Sequence, residues 1–372
     1  MKNGNKIALL SSMFVALLFT QTAGGQPKIS LSNDSSYEIE APCKYYANTE
    51  NTSHGKETVP NHRQASSEAA FDQHQRIVSR VVDENTSGGG NSLWRWFFNT
   101  GYRHDELDWS FALPNINIRS ELQWRNLESI QFEFGLQRRL GQHFRLKGSL
   151  AYSFLFDGDN QDSDFNGNNR TDEFFRSNNS TQDGDLWDVS IGLAYDVNLF
   201  ADRIVLSPLV GYSYHDQNLQ ITRGIQTIPP LGPFQGLDSS YDPTWYGPWI
   251  GADFLYKSYG KSAPRPGYEA FFGIEYHFAN FEAQADWNLR ADLAHPVSFR
   301  QDADGSGWIM IGGINYLFNP RWSVNLIGKY QKWETSSGRH RFFFYDGSSF
   351  QARLNGVNWD SFSLSAGITC RF

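Results

Sequence analysis

The last 12 residues alternate strictly between apolar and polar side chains, and this alternation narrows the folds open to the chain. The apolar residues are Phe362, Leu364, Ala366, Ile368, Cys370 and Phe372. The polar set is Ser361, Ser363, Ser365, Gly367, Thr369 and Arg371. A period of two is typical of a β-strand with one apolar face. A soluble strand can alternate in the same way, so the rest of the chain must decide between a soluble sheet and a membrane sheet.

The preceding segment repeats the pattern. Trp322, Val324, Leu326 and Tyr330 alternate with Ser323, Asn325, Lys329 and Gln331. The sequence also stops on an aromatic residue, which resembles the C-terminal signal of chains handled by the barrel-insertion machinery. In a bilayer the apolar set faces lipid, and the backbone groups are all paired only if the sheet closes on itself. These patterns predict a transmembrane antiparallel β-barrel.

The N-terminus has the layout of a secretory signal peptide. Lys2 and Lys6 form a short positive region, an apolar run covers residues 7–19, and small residues follow at 23–25. A run of this length is too short to span a bilayer. We predict a signal peptide over residues 1–25, with a short anchor or a buried helix as the alternative, and export of the mature chain.

Composition supports an all-β membrane protein. The mean hydropathy of −0.52 excludes a helical membrane protein, while aromatic residues make up 16% of the chain beside 33 glycines. Aromatic residues and glycine favour strands and turns. The net charge of −8 argues against a nucleic-acid partner, whose phosphates it would repel. Cys43 and Cys370 lie at opposite ends of the chain and form no metal-binding spacing.

The chain divides into a polar leader and a barrel. Residues 26–90 are rich in polar and turn-forming residues, so we predict a mostly disordered periplasmic segment with one short amphipathic helix at 68–82. Residues 91–372 carry the period-two pattern and form the predicted barrel. The ten predicted strands cover residues 93–104, 116–139, 143–157, 184–199, 203–223, 245–278, 281–292, 307–318, 321–336 and 353–372.

Short turns and long loops orient the predicted barrel. The predicted tight periplasmic turns are Gly141–Gln142, Phe200–Asp202, Ala279–Asn280 and Asn319–Pro320. Barrels of this class place short turns in the periplasm and long loops outside. Two stretches, 125–128 and 258–267, interrupt the second and sixth strands, and we interpret them as bulges or extracellular insertions.

Several motifs between Leu93 and Phe372 resemble known families. Motifs similar to omptins, the ten-stranded outer-membrane proteases, are Leu107-Asp108-Trp109, Gly247-Pro248-Trp249-Ile250-Gly251 and Phe278-Ala279-Asn280-Phe281-Glu282, the last similar to their third periplasmic turn. The sequence resembles more closely the Protochlamydia-type outer-membrane proteins, through residues 120–127, 285–290 and 295–300. The resemblance implies a ten-stranded barrel in the outer membrane.

The omptin resemblance implies a test for protease activity. Omptins place an acidic pair in the second loop opposite an Asp–His pair beside the fourth. The matching positions here are Asp162 with Asp164, and Asp292 with His295. Two residues separate Asp292 from His295, which puts their side chains on opposite faces of a regular strand, and Pro296 follows directly. The alternative for the acidic cluster is a solvated loop with a weak Ca²⁺ preference.

The sequence therefore predicts an outer-membrane barrel with a porin-like or surface-exposed structural role, and an omptin-like aspartate/histidine endopeptidase is the alternative. We predict no cofactor or bound metal. The predicted partners are membrane lipid and, during assembly, the insertion machinery, and soluble partners are left open. Five polar residues predicted to line the lumen fit a narrow pore and a plugged interior equally: Asn315, Asn325, Lys329, Gln331 and Arg371. Six tryptophans predict interfacial girdles, or alternatively sugar-binding platforms: Trp94, Trp96, Trp245, Trp249, Trp308 and Trp322.

Overall fold

The computed structural model describes residues 93–200, 202–259 and 266–372. The predicted signal peptide and polar segment, with its short helix, lie outside these residues. The strands are β1 Trp94–Leu113, β2 Ile116–Leu140, β3 Phe144–Phe165, β4 Glu173–Ser180, β5 Asp185–Tyr195, β6 Val197–Leu199, β7 Ile204–Ile228, β8 Gly232–Pro233, β9 Asp238–Lys257, β10 Gly267–Asp286, β11 Phe299–Leu317, β12 Trp322–Thr335, β13 Gly338–Phe343 and β14 Ser349–Arg371. A short 3₁₀ turn covers Asn168–Arg170, and no helix in the described ranges is long and apolar enough to cross a bilayer.

The strands form one closed antiparallel sheet. The ring runs through β1, β2, β3, β5, β7, β9, β10, β11, β12 and β14, and β14 pairs again with β1 from Arg95↔Arg371 to Ala112↔Arg353. Three short strands extend positions of this ring. β4 continues the place of β5 between β3 and β7, and β6 continues β5 along β7 at the other end. β13 continues the place of β12 between β11 and β14. The predicted ten-stranded antiparallel barrel is therefore confirmed.

One predicted turn is wrong. Ala279–Asn280 lies in the middle of β10, where Ala279 pairs with Gly305 of β11, so the motif around it is not a periplasmic turn. The connection between the sixth and seventh ring strands instead covers the residues between Lys257 and Gly267, which we had interpreted as an interruption of one strand. The predicted bulge at 125–128 is confirmed, because the register of β2 with β3 shifts there and Asn126 has a φ of 53°.

The missed turn has a physical cause, which is that the apolar residues change face along the strand. On the lower part of β10 the outward side chains are apolar and exposed, as at Phe272 and Phe278. Beyond Phe278 the outward positions become polar, and the apolar residues point inward: Phe281, Ala283 and Ala285 are buried. A strand whose apolar phase reverses looks in the sequence like two strands joined by a turn.

The other ring strands show the same change, with apolar residues facing outward in the lower part of the barrel and inward in the upper part. Lipid-facing side chains are Phe98, Tyr102, Phe132, Phe154, Leu193, Val210, Ile250, Phe272, Ile314, Leu326 and Leu364, all at least 36% exposed. The predicted lumen-facing serines of β14, Ser361, Ser363 and Ser365, are buried. Above this belt the barrel continues, with a charged outer wall and an aromatic interior. An outer-membrane barrel needs only about 10 residues per strand to cross the bilayer, so the upper half projects beyond it.

The predicted girdles are only partly right. Trp308 is 46% exposed and lies on the outer face, whereas Trp245 and Trp249 are 0% and 1% exposed and point into the barrel. Cys370 lies on the apolar face as predicted but is 1% exposed, because Trp96 and Trp322 are its cross-strand partners. The interior tryptophans belong to a layer that closes the lumen.

Candidate functional site

The upper lumen is crossed by aromatic rings that touch from opposite walls. Trp109 of β1 and Tyr241 of β9 lie 5.8 Å apart between ring centroids, although four strands separate β1 from β9 in either direction around the ring. Trp124 of β2 stacks on the same Tyr241 at 4.9 Å. Trp109 also meets Phe299 of β11 at 5.6 Å. These contacts cross the lumen between opposite walls of the barrel.

A second aromatic tier lies beneath the first. Trp333 of β12 stacks on Trp359 of β14 at 5.6 Å and 16°, and Trp245 of β9 meets Trp333 at 5.8 Å and Phe281 at 4.7 Å. Indole nitrogens of Trp109, Trp124, Trp245, Trp249 and Trp333 have no hydrogen-bond partner. These buried N–H groups make no hydrogen bond to another protein group, so the rings hold together by apolar and aromatic contact.

Below the rings, charged side chains tie the walls together. Arg103 of β1 donates to both carboxylate oxygens of Asp105, at 2.8 and 3.0 Å, and to Asp188 of β5 at 2.6 Å. Asp188 in turn lies 2.7 Å from Nδ1 of His215 on β7. The indole of Trp359 donates to Asp105 at 2.8 Å, which couples the ionic tier to the rings above it. All five side chains are buried.

The periplasmic half of the lumen encloses a cavity of about 890 Å³. Its lining reaches the rim residues Leu93, Gly141 and Pro320, and charged pairs cross it: Lys147 to Glu275 at 3.2 Å and Arg371 to Glu269 at 2.8 Å. Four of the predicted lumen residues line this cavity, namely Asn315, Asn325, Lys329 and Arg371. The fifth, Gln331, is buried in the interior. Their predicted inward orientation is confirmed.

The acidic pair of the predicted site lies at the extracellular mouth. Asp162 and Asp164 share the inward face of β3, in register with Leu122 and Ser120 of β2. Burial, reinforced by the charge of Asp164, raises the pKa of Asp162 well above its ordinary value, and burial also raises the pKa of Asp164. Oδ1 of Asp162 has no hydrogen-bond partner. Ionisation of this pair is therefore less favourable than that of two exposed aspartates.

Arg290 is the residue that sequence reasoning missed. It donates to both carboxylate oxygens of Asp292, at 2.8 and 2.7 Å, and this pairing lowers the pKa of Asp292. The charge of Arg290 also lowers the pKa values of Asp162 and Asp164, against the effect of burial. The structure thus links three of the four predicted residues through one guanidinium. The position of Arg290, two residues before Asp292, is the sequence feature that could have indicated this ion pair.

His295 is placed apart from the other three. Its Nδ1 lies 2.6 Å from Oδ1 of Asp286, and its side chain is 40% exposed. Asp286 pairs with Ser240 of β9, one position past the inward-facing Ala285, so strand alternation puts it on the outer face. The structure therefore contains an Asp–His pair, but with Asp286 in place of Asp292, and on the opposite side of the wall from Asp162.

Within the described ranges, no group of three or more His, Cys, Asp or Glu side chains is arranged to hold a metal ion. What the mouth offers chemically is a buried acidic pair facing one arginine. The lumen beneath it offers a closed aromatic layer over a charged cavity.

Comparison with protein families now identifies the barrel. The family model described as Protochlamydia outer membrane protein matches residues 97–372. The chain belongs to the Protochlamydia outer membrane protein family. This family member is accordingly an integral β-barrel of the outer membrane, with membrane lipid around its apolar belt. No curated protein sequence matches it significantly.

The superposition on one solved structure places the fold of this family member among outer-membrane barrels. The outer-membrane protease OmpT of Escherichia coli superposes with a TM-score of 0.63 at 12% identity, covering 75% of this chain and 96% of OmpT. OprG of Pseudomonas aeruginosa matches at 10% identity with a TM-score of 0.32, covering 76% of this chain and 98% of OprG. At these identities the likeness to OmpT concerns the fold alone.

Proposed function

We propose that this family member is a surface-exposed structural barrel whose lumen is closed to solutes. The observation that carries the proposal is the contact between Trp109 and Tyr241 from opposite walls. The barrel is porin-like in architecture, with a charged cavity towards the periplasm, but its extracellular half is filled by a buried aromatic core. The tall, charged outer wall gives it a large surface outside the membrane.

The size of the aromatic layer argues against spontaneous opening. Trp109, Trp124, Trp245, Trp333 and Trp359 are each no more than 1% exposed. Exposing one indole to water costs about 4–6 kcal/mol, at 150–250 Å² of apolar surface per ring. Moving even two of them aside costs about as much as the whole stability of a typical domain. A conducting state would therefore need an external energy source or a partner.

The proposal also covers the part of the chain outside the described residues. Residues 1–25 are a cleaved signal peptide and residues 26–90 a periplasmic segment. The barrel supports the periplasmic assignment, because β1 begins at the end of the barrel that carries the short turns. The amide of Trp94 donates to the carbonyl of Phe372 there, so both ends of the barrel domain share one side.

Conductance of the refolded barrel in a planar bilayer tests the closed lumen. The wild type should show no stable conductance steps, and a variant that removes rings from both tiers (Trp109→Ala, Tyr241→Ala, Trp245→Ala and Trp333→Ala) should show them. Trp308→Ala is the matched control, because it removes an indole from the lipid face and leaves the lumen unchanged. Steps in the wild type would contradict the closed lumen and establish the porin role.

An endopeptidase is the second candidate function. The 2.6 Å contact between His295 and Asp286 favours it, because such a pair can polarise a water molecule. Asp162 and Asp164 lie on the inward face instead, and the positive charge of Arg290 partly offsets their negative charge. A fluorogenic peptide assay on the same refolded sample tests the activity. Cleavage that His295→Ala abolishes, while a His143→Ala control retains it, would displace the structural proposal.

A further inference from the structure

Four exposed arginines form a band on the outer wall of the barrel, outside every site described so far. Arg300 of β11, Arg339 and Arg341 of β13 and Arg353 of β14 alternate with inward-facing residues and are all exposed. In the registers of these strands Arg300 faces Arg341, and Arg339 faces Arg353. The band therefore crosses three adjacent strands obliquely.

The band carries an unusual excess of positive charge. Like charges directly opposite each other across two strands destabilise a sheet. Among the residues that the structure describes, only Asp302 forms an ion pair with a member of the band, through Arg339 at 2.7 Å. Arg341 donates to Gln351 and Arg353 to Asn355, and the guanidinium of Arg300 lies 5.9 Å from the ring of Phe343. Three guanidiniums in the described structure thus contact only neutral groups, although the chain as a whole carries a charge of −8.

The neighbours of the band keep the charge confined. Arg300 lies directly opposite Gln284 of β10, and Arg353 directly opposite Ala112 of β1. The nearest carboxylate on the upper part of β10, Asp286, is paired with His295. Towards the membrane the outer wall turns acidic, with Glu282 opposite Asp302 and Asp304 beyond it. An anion approaching this wall is attracted to the band and repelled below it.

The height of the band decides which anion it can meet. On β11 the last lipid-facing aromatic is Trp308, and Arg300 lies eight residues further along the strand. Eight residues span about 26 Å, or about 20 Å along the membrane normal for a strand tilted by about 40°. A headgroup layer extends only about 5–8 Å beyond the hydrocarbon core. Lipid phosphates are therefore too low to reach the arginines.

The dimensions of the band fit an extended chain. Its four positions span two strand spacings and one two-residue step, which is a diagonal of about 12 Å. A folded acidic protein needs an interface of about 800 Å² on each partner, whereas a polysaccharide with charge on successive sugars can lie along such a diagonal. The planar fork of arginine binds sulfate and carboxylate through two parallel hydrogen bonds. We propose that this band binds a sulfated or carboxylated polysaccharide at the cell surface.

Binding of fluorescent dextran sulfate to the full barrel in zwitterionic nanodiscs tests the proposal. The variant Arg300→Gln, Arg341→Gln, Arg353→Gln should raise the Kd at least tenfold. The control Arg125→Gln, Arg223→Gln, Lys332→Gln removes the same charge from exposed positions elsewhere and should change the Kd less than twofold. Equal losses in the two variants, or binding of neutral dextran as tight as that of dextran sulfate, would overturn the proposal.

Two further arms exclude other ligands. Anionic lipid in the nanodisc should leave dextran sulfate binding by the wild type unchanged, and competition by the lipid would reassign the band to headgroups. Polyglutamate of matched length should bind more weakly than dextran sulfate, and equal binding lost in the arginine variant would reassign it to acidic polypeptides. Unheated gel mobility confirms that each variant is folded, and the result is independent of whether the lumen is closed.

Discussion

The two halves of this barrel use one set of strands in opposite ways. In the membrane half the outward residues are apolar and the inward residues are charged, as with Phe272 and Glu275 on β10. In the extracellular half the inward residues are aromatic and the outward residues are polar, as with Phe281 and Glu282 on the same strand. The surroundings of each half determine which face of its strands is apolar. Lipid favours an apolar outer wall, and water favours an apolar interior. Membrane insertion and core stability thus rest on different halves.

The largest expected effect comes from the aromatic core. Trp245→Ala should destabilise the barrel by about 3–5 kcal/mol, because it removes a buried ring that contacts Trp333 and Phe281. Trp308→Ala, on the lipid face of the lower half, should cost much less. Urea unfolding in lipid vesicles measures both. Equal losses would mean that the upper core contributes no more than the lipid-facing wall.

A charge placed on the outer wall of β10 should destabilise the barrel far more in the membrane half than in the extracellular half. Phe272→Arg puts a guanidinium into the apolar belt and should cost about 2–4 kcal/mol, whereas Asn280→Arg, eight residues higher, should cost about 0–1 kcal/mol. The same unfolding experiment compares them, with insertion efficiency into vesicles as a second measure. A large penalty at Asn280 would place the upper wall inside the membrane and break the comparison.

The smallest effect concerns the pH response of the mouth. Burial raises the folded-state pKa of Asp162 above 3.8, so its stabilising effect is complete below pH 3.8 and is lost as pH rises through the folded-state value. Asp162→Asn should therefore melt a few degrees above the wild type at pH 7.5 and match it at pH 3.5. Gel mobility after stepwise heating measures the melting.

The control for the mouth has the opposite sign. A hydrogen bond from Ser348 lowers the pKa of Asp346, so its contribution is present above pH 3.8 and is lost on acidification. Asp346→Asn should melt slightly below the wild type at pH 7.5 and equal it in acid. Parallel pH responses of the two variants would show that a general charge effect, and not burial of Asp162, governs the mouth.

The sequence predicted the membrane half well, because there the period-two pattern follows a single rule. Strand number, closure and the lumen-facing set of Asn325, Gln331 and Arg371 are all confirmed. It failed where the rule reverses: Ala279–Asn280 was taken as a turn, and Trp245 as an interfacial residue. A lone strand does not show which face its neighbours enclose, so an inward tryptophan and a girdle tryptophan look alike.

The candidate site was harder to predict, because its contacts join residues from separate elements. Asp162 and Asp164 were found by their spacing, and their shared inward face agrees with it. The link through Arg290 and the pairing of His295 with Asp286 depend on how the segment after β10 folds back. Sequence periodicity does not predict either contact, because the conformation of a loop depends on the tertiary packing around it.

The seam between the first and last strands has a consequence for assembly. The indole of Trp359 on β14 donates to Asp105 on β1, and 254 positions separate the two residues. Trp359 thereby belongs both to the second aromatic tier and to the ionic tier beneath it. Neither tier is complete until the final strand docks, so a partly inserted chain presents an unfinished aromatic interior to water. Such high contact order makes folding slow and leaves the open sheet prone to aggregation. Docking of the last strand is thus the step that buries these tryptophans.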